Sequence, residues 1–367
     1  MLSPKSKRNL FKILTFGFLS FVFSIMYVLI EKGILGDSPI YPSTKNPYDF
    51  SSAIFITPFS GIMMGILVGV LEVFVVGQSF KKTGFLSKVF LKTAAFVLII
   101  VLMLIMAAIL TNTLRIGSHP FSTEVLQTVW SFIANFVFFS IVIYAGTMIG
   151  FSVFLIEVSD KLGLSVFQNF VTGKYYKPRE EERIFMFLDM KSSTTIAEEL
   201  GHQTYYELLN QYYTDINEVI LETEGEIYQY VGDEVVVSWS MESGLSHHNC
   251  VRCYFMVKER FLQKESWYKE RFGVLPDFKA GIHFGIVITG EVGIVKKELL
   301  FTGDVLNTTA RIRESCSQFG SDIIISRHLM ERIKPLPPKY KATEIGETQL
   351  RGKKVTIRLF TLDINNQ

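Results

Sequence analysis

Two aspartates stand where a chain can do metal chemistry. Asp189 falls at the end of an apolar run, Arg183–Met190. Asp233 sits in a Gly-Asp turn between two further runs, Glu226–Val231 and Glu234–Ser240. If these runs are neighbouring strands, both carboxylates project from one edge of a sheet. Hard oxygen donors paired in this way suit Mg²⁺ or Mn²⁺ and can share two ions. Directly after Asp189 and Met190 comes Lys191-Ser192-Ser193-Thr194-Thr195, opening a helix. Hydroxyls and free N–H groups at a helix start form a natural phosphate cradle. Taken singly, each feature has an ordinary use, since Asp is a common turn former and a Ser/Thr run a common helix cap. Cys250 and Cys253 form a C-x-x-C behind His247 and His248, but no second pair completes four ligands. They are expected to be small core residues on a helix.

The elements that would position these residues follow from periodicity. After the first strand, Thr204–Glu222 has helical spacing and Gly225 stops it. Two strands joined at Gly232–Asp233 come next, then a helix over Leu245–Arg271. Phe278–Phe284 and Val287–Gly293 read as a second hairpin, followed by a helix from Val305 and a strand at Asp322–Ser326. The order strand, helix, two strands, helix, strand predicts an α+β sheet with helices on one face.

Four segments, in this order, resemble the class III adenylyl and guanylyl cyclases. FLDMKSSTT at 187–195 resembles their first metal motif, and IYQYVGDEVVVSW at 227–239 the second. GIHFGIVITGEVG at 281–293 resembles the central hairpin, and GDVLNTTARI at 303–312 the helix carrying an Asn and an Arg four residues apart. The resemblance covers about residues 182–362. It implies a ferredoxin-like catalytic domain that turns ATP into 3′,5′-cyclic AMP and pyrophosphate. Asp189, Met190 and Asp233 would form the metal set, holding two Mg²⁺ or Mn²⁺ ions that activate the ribose 3′-hydroxyl and offset charge at the α-phosphate. Ser192, Ser193 and Thr194 would cradle phosphates, although the family usually has Gly and Phe at Ser192 and Ser193. Asn307 would hold the ribose, and Arg311 would stabilise charge developing on the α-phosphate. In the family, the metal residues and the Asn–Arg pair of one site come from different subunits, so a homodimer with two shared sites is implied. Arg351 and Lys353 would reach the triphosphate. The base-reading positions are Gln229 and Leu300, where cyclic-AMP-forming relatives usually have Lys and Asp or Thr, and guanylyl cyclases Glu and Cys. A Gln amide both donates and accepts, so it can read either purine. ATP is expected because cyclic AMP is the commoner family product. GTP, or both nucleotides, is the alternative. A silent nucleotide-binding sensor is a second alternative, but such relatives typically lose a metal Asp or the Arg, and this chain keeps them.

The other half of the chain has a different solvent. Of the 367 residues, 49% are apolar, and the excess is concentrated between residues 11 and 157. Phe11–Ile30, Ser51–Val76, Val89–Leu110 and Val125–Leu155 are each long enough to cross a bilayer and so to contact membrane lipid. Lys5, Lys7, Arg8 and Lys12 precede the first, and Lys81, Lys82 and Lys88 lie between the second and third. The positive-inside rule therefore places both termini in the cytoplasm. A transporter or channel is disfavoured because the spans carry few charges. The domain boundaries expected are 1–157 for the spans, 158–183 for a signalling helix and hinge, and 184–362 for the catalytic domain. The net charge of +2 gives no basis for nucleic-acid binding, and three cysteines without framework spacing suit a reducing compartment. Gly61, Gly65 and Gly69, and again Gly146 and Gly150, form small-residue faces that either mediate association or pack within one bundle. Glu72, on the face of Gly65 and Gly69, is expected to snorkel to the nearby cytoplasmic surface.

Overall fold

The apolar half folds as helices, the element that satisfies every backbone polar group internally, as a hydrocarbon surrounding would demand. The structure, a computed structural model, describes residues 4–41, 47–80, 83–349 and 356–365. Arg351 and Lys353 lie outside the described residues. The chain divides into two compact units, Ser6–Phe167 and Gln168–Gln367.

In the first unit, α1 (Pro4–Leu35), α2 (Phe50–Leu71), α4 (Phe85–Ile116) and α6 (Phe136–Leu162) carry the four segments long and apolar enough to cross a membrane. A π-helical turn, Glu72–Val76, and the short α3 (Gly77–Ser79) extend α2. The fourth span differs from expectation. Residues 123–133 form a separate helix, α5 (Thr123–Ile133), and α6 starts afresh at Phe136. The break has a local cause, because the Asn135 side chain accepts a hydrogen bond from the Val137 N–H and caps the new helix. Within the expected signalling segment the helix is interrupted once. Gly163, in the left-handed region at φ 87°, separates α6 from α7 (Leu164–Thr172).

The glycines of α2 pack within the chain. A Cβ on Gly65 would lie 2.5 Å from the Phe16 carbonyl oxygen, and one on Gly69 2.7 Å from the Ile13 Cα, both on α1. Backbone cannot retreat as a flexible side chain can. Gly69→Ala is therefore expected to destabilise the protein by about 1–3 kcal/mol, read from thermal unfolding in detergent. No change would mean that α1 and α2 do not meet at this glycine.

Glu72 does not snorkel. It is 2% exposed, as is Glu157 on α6, and Lys92 on α4 is 1% exposed. The Lys92 ammonium donates to Glu72, and to Glu157 Oε1 at 2.7 Å, while Lys88 reaches Glu157 Oε2 at 2.7 Å. A cation on the facing helix removed the reason to reach for water.

The second unit is built on one sheet of eight strands: β1 (Arg179–Met190), β2 (Glu226–Val231), β3 (Glu234–Ser240), β4 (Phe278–Val292), β5 (Glu298–Thr302), β6 (Ile323–Ser326), β7 (Tyr340–Gln349) and β8 (Thr356–Ile364). The order is β2-β3-β1-β4-β6-β8-β7, with β5 paired to β4. The first four strands, in the order β2-β3-β1-β4, are antiparallel at each neighbouring pair and form the expected ferredoxin-like core. One face packs on α8 (Ser193–Glu222) and α10 (Asn249–Gln263), with Leu208, Tyr212, Ile216, Cys250, Cys253 and Val257 fully buried. Burial pushes the Cys250 and Cys253 thiols up to about 12, so both are inert core residues. The other face carries α12 (Asp304–Phe319) over Phe185, Val236, Val287 and Phe301.

Three sequence expectations fail here. Helices cover both faces of the sheet and not one, because the alternate residues Phe185 and Phe187 are apolar too and take α12 on the face opposite α8 and α10. The segment over 245–271 is not one helix: α9 (Met241–Leu245) and a 3₁₀ turn precede α10, and α11 (Glu265–Phe272) follows it. His247 and His248 adopt left-handed backbone conformations at the first break. Nor do residues 278–293 form a hairpin. They are one continuous strand, and the hairpin partner is β5. Gly285, in the gap between the two expected strands, lets α12 approach, because a Cβ there would lie 3.1 Å from the Val305 Cβ.

Candidate active site

The antiparallel pairing of β1 with β3 brings the metal motifs together. Leu188 pairs with Val235, so Asp189, the next residue on β1, and the β2–β3 turn lie at the same end of the sheet. The turn itself requires Gly232, at φ +64°. Burial raises the Asp189 carboxyl above its ordinary range; Arg313 opposes the shift and the neighbouring Asp233 adds to it. The two expected metal carboxylates are thus electrostatic neighbours. Met190 buries its side chain in the core, so its main-chain carbonyl is what it can offer a hard cation.

The phosphate motif opens α8. Ser192 takes a left-handed backbone conformation at φ 55° and its hydroxyl does not cap the helix. The Ser192 hydroxyl is therefore not spent on a side-chain cap, while the Ser193 hydroxyl pairs with the Tyr205 phenol. Ser192 and Thr194 are exposed and Ser193 is half-buried. Lys191 turns elsewhere, forming ion pairs with Asp277 at 2.6 Å and Asp322 at 2.5 Å.

On α12, Val305, Thr308, Thr309, Ile312 and Cys316 face the sheet. Asn307 is exposed and Arg311 half-buried, one turn apart on one flank. Among the described residues, no hydrogen bond or ion pair engages either side chain. Arg313 lies on the opposite flank, about 160° around the helix from Arg311 at 100° per residue. Its Nη1 donates to Asp189 Oδ2 at 2.8 Å, and its Nη2 lies 2.9 Å from Glu234 Oε2. Arg311 therefore points away from the Asp189 of its own chain. Gln229 on β2 and Leu300 on β5 are both exposed. Their strands meet beneath, where the Tyr228 and Phe301 ring centroids are 4.8 Å apart. Arg313 and Glu234 were not anticipated. The available signal was Arg-Ile-Arg, which must place a second cation on the far flank of α12.

Among the described residues, no group of three or more His, Cys, Asp or Glu side chains is gathered for a metal ion. The donor chemistry nevertheless fits a hard divalent cation. Asp189 and Asp233 are close, partly buried carboxylates whose mutual repulsion such an ion would relieve.

Residues 175–363 match the family described as the Adenylate and Guanylate cyclase catalytic domain, and the chain belongs to that family. Adenylate cyclase 2 of Rhizobium meliloti is 30% identical over 223 residues, which are 61% of this chain and 61% of that protein. Adenylate cyclase 1 of the same organism is 27% identical over 186 residues, covering 49% of this chain and 27% of that protein. Guanylate cyclase 2D of Rattus norvegicus is 26% identical over 202 residues, covering 53% and 18%. The chain thus spans less than two thirds of the length of these relatives. Among solved structures, a bacterial light-regulated adenylyl cyclase is similar at a TM-score of 0.49 and 20% identity, covering 56% of this chain and 60% of that one.

Proposed function

We propose that this protein is a membrane-bound, homodimeric nucleotide cyclase that converts ATP to 3′,5′-cyclic AMP and pyrophosphate. The observation that carries the reading is the division of the site. Asp189 and Asp233 lie at one sheet end, while Arg311 projects from the far flank of α12 and needs a second copy to supply its carboxylates. The exposed apolar surface of Ile286, Ile288, Val292 and Leu300 on β4 and β5, with Tyr230 and Val231 on β2, suits such a self-association. Adenylate cyclases among the relatives support ATP as substrate, and guanylate cyclases among them keep GTP as the alternative.

Each residue then has a task. The first N–H groups of α8, with the hydroxyls of Ser192, Ser193 and Thr194, bind the triphosphate and orient its α-phosphate. Asn307 of the other protomer holds the ribose so that its 3′-oxygen faces that phosphorus. Arg311 of the other protomer stabilises the charge that builds on the phosphoryl oxygens as pyrophosphate departs. Asp189 and Asp233, with the Met190 carbonyl, would hold two divalent ions, which supply Lewis-acid activation of the 3′-hydroxyl. Lys353 and Arg351 would meet the distal phosphates. Four spans hold the protein in the cell membrane with both termini cytoplasmic. Residues 158–183 would connect the span domain, 1–157, to the catalytic domain, 184–362.

Turnover of ATP and GTP, each with Mn²⁺ and followed by pyrophosphate release, tests the reading. Release is expected with both and is lost with EDTA. The kcat/KM values should differ by less than about a thousandfold, since Gln229 can pair with either base and Leu300 with neither. A larger preference would assign base reading to other residues. No pyrophosphate from either nucleotide would contradict the enzyme.

A further inference from the structure

Arg313 has no part in the mechanism above, yet it is the cation nearest the metal corner. Its fork bridges two carboxylates on different strands, Asp189 at the end of β1 and Glu234 at the start of β3. The side chain has little freedom to be elsewhere. Gly281 on β4 brings α12 so close that an added Cβ would fall 2.4 Å from the Arg313 backbone nitrogen. All three side chains are largely covered, at 22% exposure for Arg313, 27% for Asp189 and 14% for Glu234. A planar guanidinium suits such a bridge better than an ammonium does.

We propose that Arg313 is a positioning residue that acts as the built-in counter-cation of the metal corner, holding Asp189 and Glu234 in place and competing with divalent metal for Asp189 until nucleotide arrives. The proposal rests on the cyclase reading. Its logic is charge counting at short range. Asp189, Asp233 and Glu234 bring three negative charges and Arg313 one positive, leaving two. Lys279, across from Asp189 on β4, contributes equally in every variant considered below. A bare corner would have three carboxylates and would capture a divalent ion by itself. With Arg313 in place, Glu234 is occupied and one oxygen of Asp189 is taken. Tight loading then needs the negative phosphates of the substrate, so the metal enters with the nucleotide.

The test is Mn²⁺ binding to the full-length protein in detergent, without nucleotide, read by electron paramagnetic resonance of the free ion. Arg313→Gln makes the corner one charge more negative and is expected to bind Mn²⁺ about tenfold more tightly. Glu234→Gln leaves Arg313 to Asp189 alone and is expected to bind about tenfold more weakly. The double variant restores the charge and should return to within about threefold of wild type, as should Arg313→Lys. Should Arg313→Gln fail to fold, Glu234→Gln and Arg313→Lys decide alone. Affinity unchanged or weakened in Arg313→Gln, or unchanged in Glu234→Gln, overturns the proposal. So does an absence of nucleotide-free binding in every protein. Cyclic-nucleotide formation by the wild type is assayed in the same preparation. A flat affinity series with an active enzyme removes only the role of Arg313, whereas an inactive wild type removes the cyclase reading beneath it.

Discussion

Asp189→Ala and Arg311→Ala are each expected to lower cyclic-nucleotide formation by on the order of 10²–10³-fold or more, and their mixture is expected to regain activity. On the proposed reading, Asp189→Ala would remove a metal ligand, and Arg311→Ala would remove stabilisation of charge in the transition state. In either homodimer both sites are damaged. In a heterodimer one site carries both lesions, while the other joins the intact Asp189 of one chain to the intact Arg311 of its partner. The geometry of α12 motivates this, because Arg313 occupies the flank facing its own Asp189 and Arg311 the flank turned away. Random association gives half heterodimers with one good site each, so about a quarter of wild-type activity should return. Two affinity tags and co-expression establish that heterodimers form. Heterodimers as inactive as the single variants would place Asp189 and Arg311 in one protomer's site.

Lys92→Met is the second large effect, and it acts on folding. Lys92 is the cation between two buried carboxylates, Glu72 and Glu157. Lys88 still serves Glu157 in the variant, but Glu72 loses its ion-pair partner. Breaking a buried pair by removing one member costs about 3–5 kcal/mol, chiefly the penalty of the charge left behind. The variant should therefore unfold much earlier than wild type in detergent. Replacing Glu72 as well, in Glu72→Gln/Lys92→Met, should recover a large part of the loss, because the stranded charge is gone. A Lys92→Met protein within about 0.5 kcal/mol of wild type would mean that the three helices are not joined by this network.

The catalytic half was legible in the sequence to the extent that its strands are short, alternate in register and end in turn residues. Asp189 and Asp233 could be put at one sheet end because β1 and β3 are adjacent in a simple antiparallel order. The break expected after Phe284 does not occur, because Gly285 serves the close approach of Val305 and a glycine inside a strand looks like one in a turn. Asn135 was hidden inside a continuous apolar run whose composition suits one span as well as two helices. The Glu72–Lys92–Glu157 network could not be read locally. Its members lie 20 and 65 residues apart, and hydropathy gives no register between helices. Arg313 escaped for a similar reason: the helical pattern reveals its flank, but not that Asp189 and Glu234 wait there.

The central claim is that this chain forms an intramolecular phosphodiester, and the identity of the product tests it most directly. Full-length protein in detergent is incubated with ATP and Mn²⁺, and the products are separated and identified by mass spectrometry. The account predicts 3′,5′-cyclic AMP and pyrophosphate in equal amounts, because the attacking oxygen is the ribose 3′-hydroxyl held by Asn307 and no water enters the bond. AMP with pyrophosphate, or ADP with phosphate, would show water as the attacking group and would contradict it.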